Sequence, residues 1–275
     1  PSIVFVIYGS TNGVSISKLL MSGMLPGILT AVVLCLYGYV VAKKENFPKS
    51  FDQFSLKRVL KSLKGAVWAL MMPLIILGGI YGGIFTPTES AMIACAYGLV
   101  VSFFVTKELT VKNFFDVVSK TAASTANVTV MFLAAQVFGF LIAYYDITTT
   151  IANFFVAVSP NWIIFMGLVF ILLTITGMFM EVGATNVILS PLLAPVAAAF
   201  GIDPIHFGMV FVFLLALGQA TPPFGSTMFI ACGISGERVA AVIRRLLPFV
   251  LVEYACALVF AYVPWFSTFL PSLMA

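Results

Sequence analysis

Charged residues are scarce in this sequence. Only 9% of the 275 residues are Asp, Glu, Lys or Arg, whereas a soluble domain carries about 25%. Hydrophobic residues make up 61% of the chain, and the mean hydropathy is +1.13. These values exclude a water-soluble domain. The net charge of +4 is spread over loops, which gives no support to nucleic-acid binding.

The chain also lacks the motifs of common hydrolases and ATPases. It contains no H-E-x-x-H pair, G-x-S-x-G elbow or P-loop. Its one histidine, His206, stands at a predicted outer turn, where helix capping is favoured over proton coupling. The cysteines, Cys35, Cys95, Cys232 and Cys256, lie in apolar segments without a C-x-x-C spacing and predict neither disulfides nor a metal site. The sequence favours a protein that is not an enzyme.

The sequence contains long runs without a charged residue. About 20 residues of helix cross the hydrocarbon core of a membrane, so each run is long enough to span it or to enter and turn back. The predicted fold class is therefore an all-α polytopic membrane protein. The runs are Leu19–Ala42, Gly65–Thr88, Thr121–Tyr145, Ile147–Met180, Pro204–Gly236 and Tyr254–Ala275.

Three basic loops predict the orientation of the spans. The positive-inside rule places these loops in the cytoplasm, and the spans Met24–Ala42, Ala66–Phe85, Ser90–Thr106 and Thr121–Tyr145 then run alternately inward and outward, beginning inward. Between basic residues, Phe51–Lys64 repeats apolar ones, which favours an amphipathic helix on the inner membrane surface over a solvated linker helix. The loops hold every basic residue except Lys18: Lys43, Lys44, Lys49, Lys57, Arg58, Lys61 and Lys64; Lys107, Lys112 and Lys120; Arg238, Arg244 and Arg245.

The stretch 147–236 carries too many prolines and glycines for plain spans. We predict a re-entrant hairpin over 162–200, in which Trp162–Met180 enters, Glu181–Asn186 forms a non-helical tip and Val187–Phe200 returns. A discontinuous helix over 205–234 follows, interrupted at Gly218–Pro223.

The beginning of the chain resembles a later segment. The interval from Pro1 to Pro26 equals that from Pro223 to Pro248, and both copies share an apolar start and a polar middle. The short turn of the second copy carries Arg238, Arg244 and Arg245, whereas that of the first carries only Lys18 and its basic cluster comes one span later at Lys43-Lys44, so the copies cross in opposite directions. An inverted repeat with Gly/Pro-interrupted segments indicates a secondary transporter, although so short a match also arises by chance in apolar sequences.

Polar groups at these interruptions form the candidate site. Prolines at 222 and 223 free carbonyls one turn earlier, and such oxygens suit a hard cation such as Na⁺. The helix after the break aims its amides at the same zone, where an anion is favoured. Helix capping is the alternative role for Thr185 and Asn186, and backbone satisfaction at a kink for Thr221. The predicted Na⁺ ligands are Gly183, Thr185, Asn186, Gly218, Thr221, Pro222 and Pro223; the predicted substrate contacts are Ser2, Thr185, Asn186, Phe224, Gly225 and Ser226.

Several motifs resemble, in order, the large membrane subunit of tripartite ATP-independent periplasmic (TRAP) transporters. They are Gly83-Ile84-Phe85-Thr86-Pro87-Thr88-Glu89-Ser90-Ala91, Gly177-Met178-Phe179-Met180-Glu181, Pro191-Leu192-Leu193-Ala194-Pro195-Val196, Gly201-Ile202-Asp203-Pro204-Ile205-His206-Phe207-Gly208 and Gly218-Gln219-Ala220-Thr221-Pro222-Pro223-Phe224-Gly225. The resemblance covers nearly the whole chain.

This resemblance implies a Na⁺-driven importer of the bacterial inner membrane that works by an elevator movement and has no organic cofactor. A periplasmic binding protein would deliver an organic acid, such as a C4-dicarboxylate or sialic acid, and a small membrane subunit would complete the complex. The family subunit is longer at its N-terminus, so we expect a fragment without the first re-entrant hairpin.

The resulting domain interpretation has four parts. Residues 1–18 end a first discontinuous helix, 19–120 form scaffold helices, 121–245 form the second-repeat transport region, and 246–275 form a C-terminal transmembrane helix. Two other classes stay open: a channel-like or ion-translocating subunit, which would favour intramembrane Lys or Glu chains, and an intramembrane enzyme, for which catalytic residues are lacking.

Overall fold

The chain forms two compact units, each built from helices. The computed structural model describes residues 2–47, 55–223, 225–236 and 238–274. One unit joins Pro1–Val41 to Thr129–Ala275, and the other is Ala42–Val128. Among the described helices, five are long and apolar enough to cross a membrane. The protein is thus an all-α polytopic membrane protein.

The first unit contains most of the helices. Its N-terminal part holds α1 (Ile3–Asn12), α2 (Ile16–Ser22) and most of α3 (Met24–Lys44). Gly13, at φ +66°, ends α1, and the Ser15 side chain caps α2 by accepting from the Lys18 amide. The long helix α6 (Val111–Tyr144) enters this unit from the other one, and α7 (Ile147–Val158) follows.

Two helices joined by two extended residues form a hairpin. α8 (Trp162–Phe179) begins after Asn161, whose side chain caps it, and α9 (Val182–Ala199) begins after Glu181, whose carboxylate accepts from the Ala184 amide at 2.9 Å. Stacking of Phe165 on Phe200, with ring centroids 4.9 Å apart, shows that the helices are antiparallel.

The predicted non-helical tip at Glu181–Asn186 is wrong in extent. Only Met180 and Glu181 are extended, because the Glu181 cap starts the helix at Val182. A polar cluster at the end of an apolar run here marks a helix start. Gly183, Thr185 and Asn186 consequently belong to the first turns of α9.

The centre of the first unit is α10 (Pro204–Ala220). Asp203 caps it by accepting from the amides of Ile205 and His206, and Pro204 occupies the first turn, where no amide partner is needed. Most of its residues from His206 to Gly218 are buried. The helix ends at Thr221–Pro223, and α11 (Ser226–Ser235) begins after Gly225.

The end of the chain consists of two helices where one was expected within 246–275. α12 (Val239–Tyr262) begins earlier, and α13 (Trp265–Ser272) follows at an angle of 63°. The bend falls at Val263–Pro264, since Pro264 cannot donate the amide that would continue α12. His206 is buried beneath this bend.

The second unit contains α4 (Leu56–Tyr81) and α5 (Pro87–Val100), which continues as a π-helical turn at Val101–Val105. Thr86 and Glu89 form a capping box that starts α5. The structure does not separate a surface helix at 51–64 from the following span: α4 is continuous from Leu56, and residues 51–54 lie outside the described residues. No proline or glycine interrupts α4 before Gly65, which explains the continuity.

Candidate ion and substrate site

Two helices pack in parallel with their N-termini at the same end. The Asn186 side chain of α9 donates through Nδ2 to the Val4 carbonyl of α1 at 2.9 Å. Further along both helices, Asn12 Nδ2 donates to Ser190 Oγ at 2.9 Å. Because residue numbers rise together along this contact, α1 and α9 point the same way. Their free N-terminal amides, after Ser2 and Glu181, therefore lie at one end of the contact.

Asn186 has an unused oxygen at this contact. The residue has no exposed surface, and its Oδ1 has no hydrogen-bond partner among the described residues. Since Nδ2 already donates to Val4, Oδ1 is fixed as an acceptor. A buried amide oxygen without a donor costs about 1–3 kcal/mol, and a bound cation or a hydrogen-bond donor would remove that cost.

A second pair of helices brings the hairpin tip to the helix break. α8 and α10 are parallel from Phe165 beside Phe207, with ring centroids 6.3 Å apart, to Gly177 beside Gly218. A Cβ at Gly218 would lie 2.5 Å from the Cα of Gly177, so both positions need glycine. Each helix ends shortly after this contact, at Phe179 and Ala220. The hairpin tip and the break therefore lie at the same level.

Backbone oxygens gather where α10 ends. A Cβ at Gly225 would collide with the Gln219 carbonyl oxygen and would lie 2.9 Å from that of Thr221. The helical partner of the Gln219 carbonyl would be the amide of Pro223, which has no hydrogen. Glycine at 225 thus leaves room for two carbonyl oxygens, one of them without its helical donor.

The depth of this break follows from α12. Thr221 Oγ1 is 3.1 Å from Tyr254 Oη, so the break lies level with Tyr254. At 1.5 Å per residue, α12 rises about 15 Å from Arg244 to Tyr254. Exposed Arg244 belongs at the membrane surface, and 15 Å is roughly half of the 30 Å hydrocarbon core. The break therefore lies about three helical turns along α12 from Arg244.

Some predicted site residues lie at the contact between α1 and α9, and others lie at the break after α10. Thr185 is buried, and its hydroxyl donates to the Glu181 carbonyl at 2.9 Å, which leaves the oxygen lone pairs free. The Gly183 carbonyl lies in the first turn of α9 and accepts within the helix, so it is not freed as expected. The Gly218 carbonyl accepts from the Thr221 amide at 3.0 Å.

The remaining predicted residues lie around the break and at the start of α1. Pro222 and Pro223 follow α10, Gly225 is buried before α11, and Ser2 precedes α1 in extended conformation without a side-chain capping bond. Phe224 lies outside the described residues, as does the side chain of Ser226.

Sequence reasoning missed four residues of this region. Asn12 and Ser190 join α1 to α9, Gln219 supplies a carbonyl, and Tyr254 holds the Thr221 hydroxyl. Only Gln219 had a sequence signal, since it stands four residues before Pro223. The others depend on contacts between segments far apart in the chain.

The donors of this region fit a hard monovalent cation. They are neutral oxygens of carbonyls, an amide and hydroxyls, which suit Na⁺ better than a soft transition metal. Among the described residues, no cluster of His, Cys, Asp or Glu offers an alternative metal site.

Apolar helices, an interruption between α10 and α11, and the N-termini of α1 and α9 at one end of their contact are features typical of secondary transporters. Residues 1–266 match the family described as "Tripartite ATP-independent periplasmic transporter, DctM component", and the chain belongs to this family.

Curated relatives carry the same assignment. The chain is 39% identical to the isethionate TRAP transporter permease protein DctMQ of Oleidesulfovibrio alaskensis, over 96% of the chain and 42% of that protein. It is 34% identical to the sialic acid TRAP transporter permease SiaT of Haemophilus influenzae, over 100% and 44%. For the sialic acid large permease SiaM of Vibrio cholerae the values are 34%, 99% and 64%. The chain therefore spans from under half to just under two thirds of the length of these relatives, all of which are transporter permeases.

Proposed function

We propose that this chain is the permease part of a Na⁺-coupled TRAP importer for an organic acid in the bacterial inner membrane. The observation that carries the proposal is the parallel contact of α1 and α9, with Asn186 between the two helix starts. This arrangement presents amide hydrogens and a neutral oxygen at one place in an apolar protein. Such a place suits both the anionic group of an organic acid and its coupling cation.

The anionic group of the substrate, a carboxylate or a sulfonate, would bind at the helix starts. Each helix N-terminus carries about half a positive charge, and its first amides have no helical acceptors. Ser2 and the amides at 182–183 lie at two such starts, and Gly225 and Ser226 lie at the third, that of α11. The names of relatives include isethionate, which is a sulfonate, and sialic acid and C4-dicarboxylate, which are carboxylates.

Sodium would bind the oxygens between hairpin tip and break. We assign Asn186 Oδ1, Thr185 Oγ1 and the carbonyl oxygens of Gln219 and Thr221 as its ligands, while the Thr221 hydroxyl donates to the Leu217 carbonyl and contacts Tyr254 Oη. Cation and anion would then occupy neighbouring positions, each reducing the cost of burying the other. Such mutual stabilisation is the physical basis of coupled transport.

Family membership supports the other parts of the proposal. The relatives are named as TRAP permeases, some of them as large permease proteins. A small membrane subunit and a periplasmic binding protein are therefore proposed as partners, with an elevator movement carrying the site across the membrane.

Uptake into proteoliposomes tests this function. The complete transporter complex, with its binding protein, is reconstituted and offered radiolabelled isethionate, succinate or sialic acid. We expect uptake of one acid only when Na⁺ is higher outside and the binding protein is present. Equal uptake in K⁺, or uptake that does not need the binding protein, would overturn the proposed mechanism.

A further inference from the structure

The first turns of α4 carry a basic face that the transport mechanism does not use. Lys57, Lys61 and Lys64 are spaced four and three residues apart, so they lie on one side of the helix. All three are exposed, and none has an ion-pair partner in the described part of the chain. We call this face the lysine ridge.

An exposed apolar stripe lies beside the lysine ridge. Leu56, Leu60, Leu63 and Val67 follow the same spacing, one residue earlier in each turn. The leucines are 62%, 56% and 52% exposed, so the described protein does not cover them. The helix therefore presents apolar and basic surfaces side by side.

Trp68 continues the lysine ridge by one turn. It follows Lys64 by four residues, is 47% exposed, and its backbone carbonyl accepts from the Tyr97 hydroxyl at 2.9 Å. Tryptophan is enriched at the level of lipid headgroups. The Lys–Lys–Lys–Trp order thus places the ridge beside the headgroup region, just outside the apolar part of α4.

We propose that the lysine ridge binds the phosphate of an anionic phospholipid in the cytoplasmic leaflet. The three ammonium groups complement the phosphate, and the leucine stripe contacts the first methylenes of the acyl chains. Bound lipid would fix the depth of α4 in the membrane. This inference is independent of the proposed Na⁺ coupling and substrate.

Lipid retention by the purified complex tests the proposal. Native mass spectrometry measures binding of phosphatidylglycerol and of zwitterionic phosphatidylcholine, titrated separately. We compare wild type with K57Q/K61Q/K64Q, which removes the charges, and K57R/K61R/K64R, which keeps them. The control K43Q/K107Q/K112Q removes equal charge from other basic positions.

The glutamine variant should lose its preference for phosphatidylglycerol by on the order of a hundredfold, or roughly fivefold per lysine. The arginine variant and the control should keep it. A preference that survives in the glutamine variant, as expected if the ridge binds a protein partner, would overturn the proposal, and so would an equal loss in the control.

A salt titration keeps the proposal testable if the glutamine variant does not accumulate. At 1 M salt the screening length falls to about 3 Å, so wild type should lose its preference for phosphatidylglycerol over phosphatidylcholine while phosphatidylcholine binding stays unchanged. An unchanged preference for phosphatidylglycerol at this salt concentration would contradict binding by the ridge.

Discussion

At the residue scale, the two polar atoms of the Asn186 side chain have different roles, one structural and one available for binding. Its Nδ2 joins α9 to α1, whereas its Oδ1 has no partner among the described residues. Ser190, one turn later on α9, also joins the two helices through Asn12. Replacing Asn186 removes a helix contact and the proposed Na⁺ ligand, whereas replacing Ser190 removes only a helix contact.

We predict that N186A lowers apparent Na⁺ affinity in the uptake assay by about 10- to 100-fold. This range corresponds to a lost charge–dipole interaction of about 1.5–3 kcal/mol. The matched variant S190A should lower thermal stability by about 1 kcal/mol and leave Na⁺ affinity unchanged. Equal Na⁺ affinities in the two variants would remove Asn186 from the site.

His206 has a structural position that its sequence context did not indicate. It is 1% exposed, with Nδ1 2.7 Å from Ser267 Oγ and Nε2 3.1 Å from the Ala261 carbonyl. Because a carbonyl only accepts, Nε2 carries a proton. The expected capping role belongs to Asp203, and the histidine instead joins α10 to the bend between α12 and α13.

Replacing His206 by alanine should destabilise the protein by about 2–4 kcal/mol, since a buried carbonyl loses its donor and a cavity forms. Thermal unfolding in detergent measures this loss. T268A is the control because the Thr268 hydroxyl donates to the Pro264 carbonyl in an exposed hydrogen bond. A melting temperature for H206A equal to that of T268A would show that the histidine contacts contribute nothing.

At the element scale, the close contact of α8 and α10 determines where the chain breaks meet. Gly177 and Gly218 allow the two backbones to touch, as small residues commonly do between membrane helices. The contact lies just before the two helix ends. Any separation of the helices would therefore move the hairpin tip away from the Gln219 and Thr221 carbonyls.

We predict that G218A reduces uptake at least tenfold and destabilises the fold by about 1–3 kcal/mol, because the new methyl would meet the Gly177 backbone. G27A is the matched control: an added Cβ there has no neighbour within 4 Å. It should be neutral or slightly stabilising, since alanine favours helix. Normal uptake by G218A would mean that this contact does not position the site.

The sequence predicts helix ends better than it predicts partners. Pro222, Pro223 and Gly225 mark the break in α10 because their backbone chemistry is local. The sequence overestimates the extent of the hairpin tip, because the Glu181 side chain caps a helix that begins at Val182. Asn12, Ser190 and Tyr254 could not be found, because their roles exist only once distant helices pack.

At the scale of the whole molecule, charge distribution decides orientation. The basic residues gather after α3, at the start of α4, between α5 and α6, and after α11. At the end of α12 opposite its arginines, Trp162 and Tyr262 lie together with ring centroids 6.1 Å apart, and Trp265 stacks on Phe269. Aromatic residues of this kind anchor the opposite membrane interface. On α12 both patterns favour the same orientation, with the arginines in the cytoplasm.

Cysteine labelling checks this topology. In a variant without the native cysteines, we place single cysteines at Asn46 and Lys107, beside the basic clusters, and at Ile84 and Tyr145, in the turns that join the outward spans to the next helices. A membrane-impermeant maleimide should label Ile84→Cys and Tyr145→Cys in right-side-out vesicles, but Asn46→Cys and Lys107→Cys only after permeabilisation. The physical reason is the cost of moving basic loops across the membrane. Labelling of Lys107→Cys in sealed vesicles would reverse α5 and α6 and would place the lysine ridge on the wrong side for a cytoplasmic lipid.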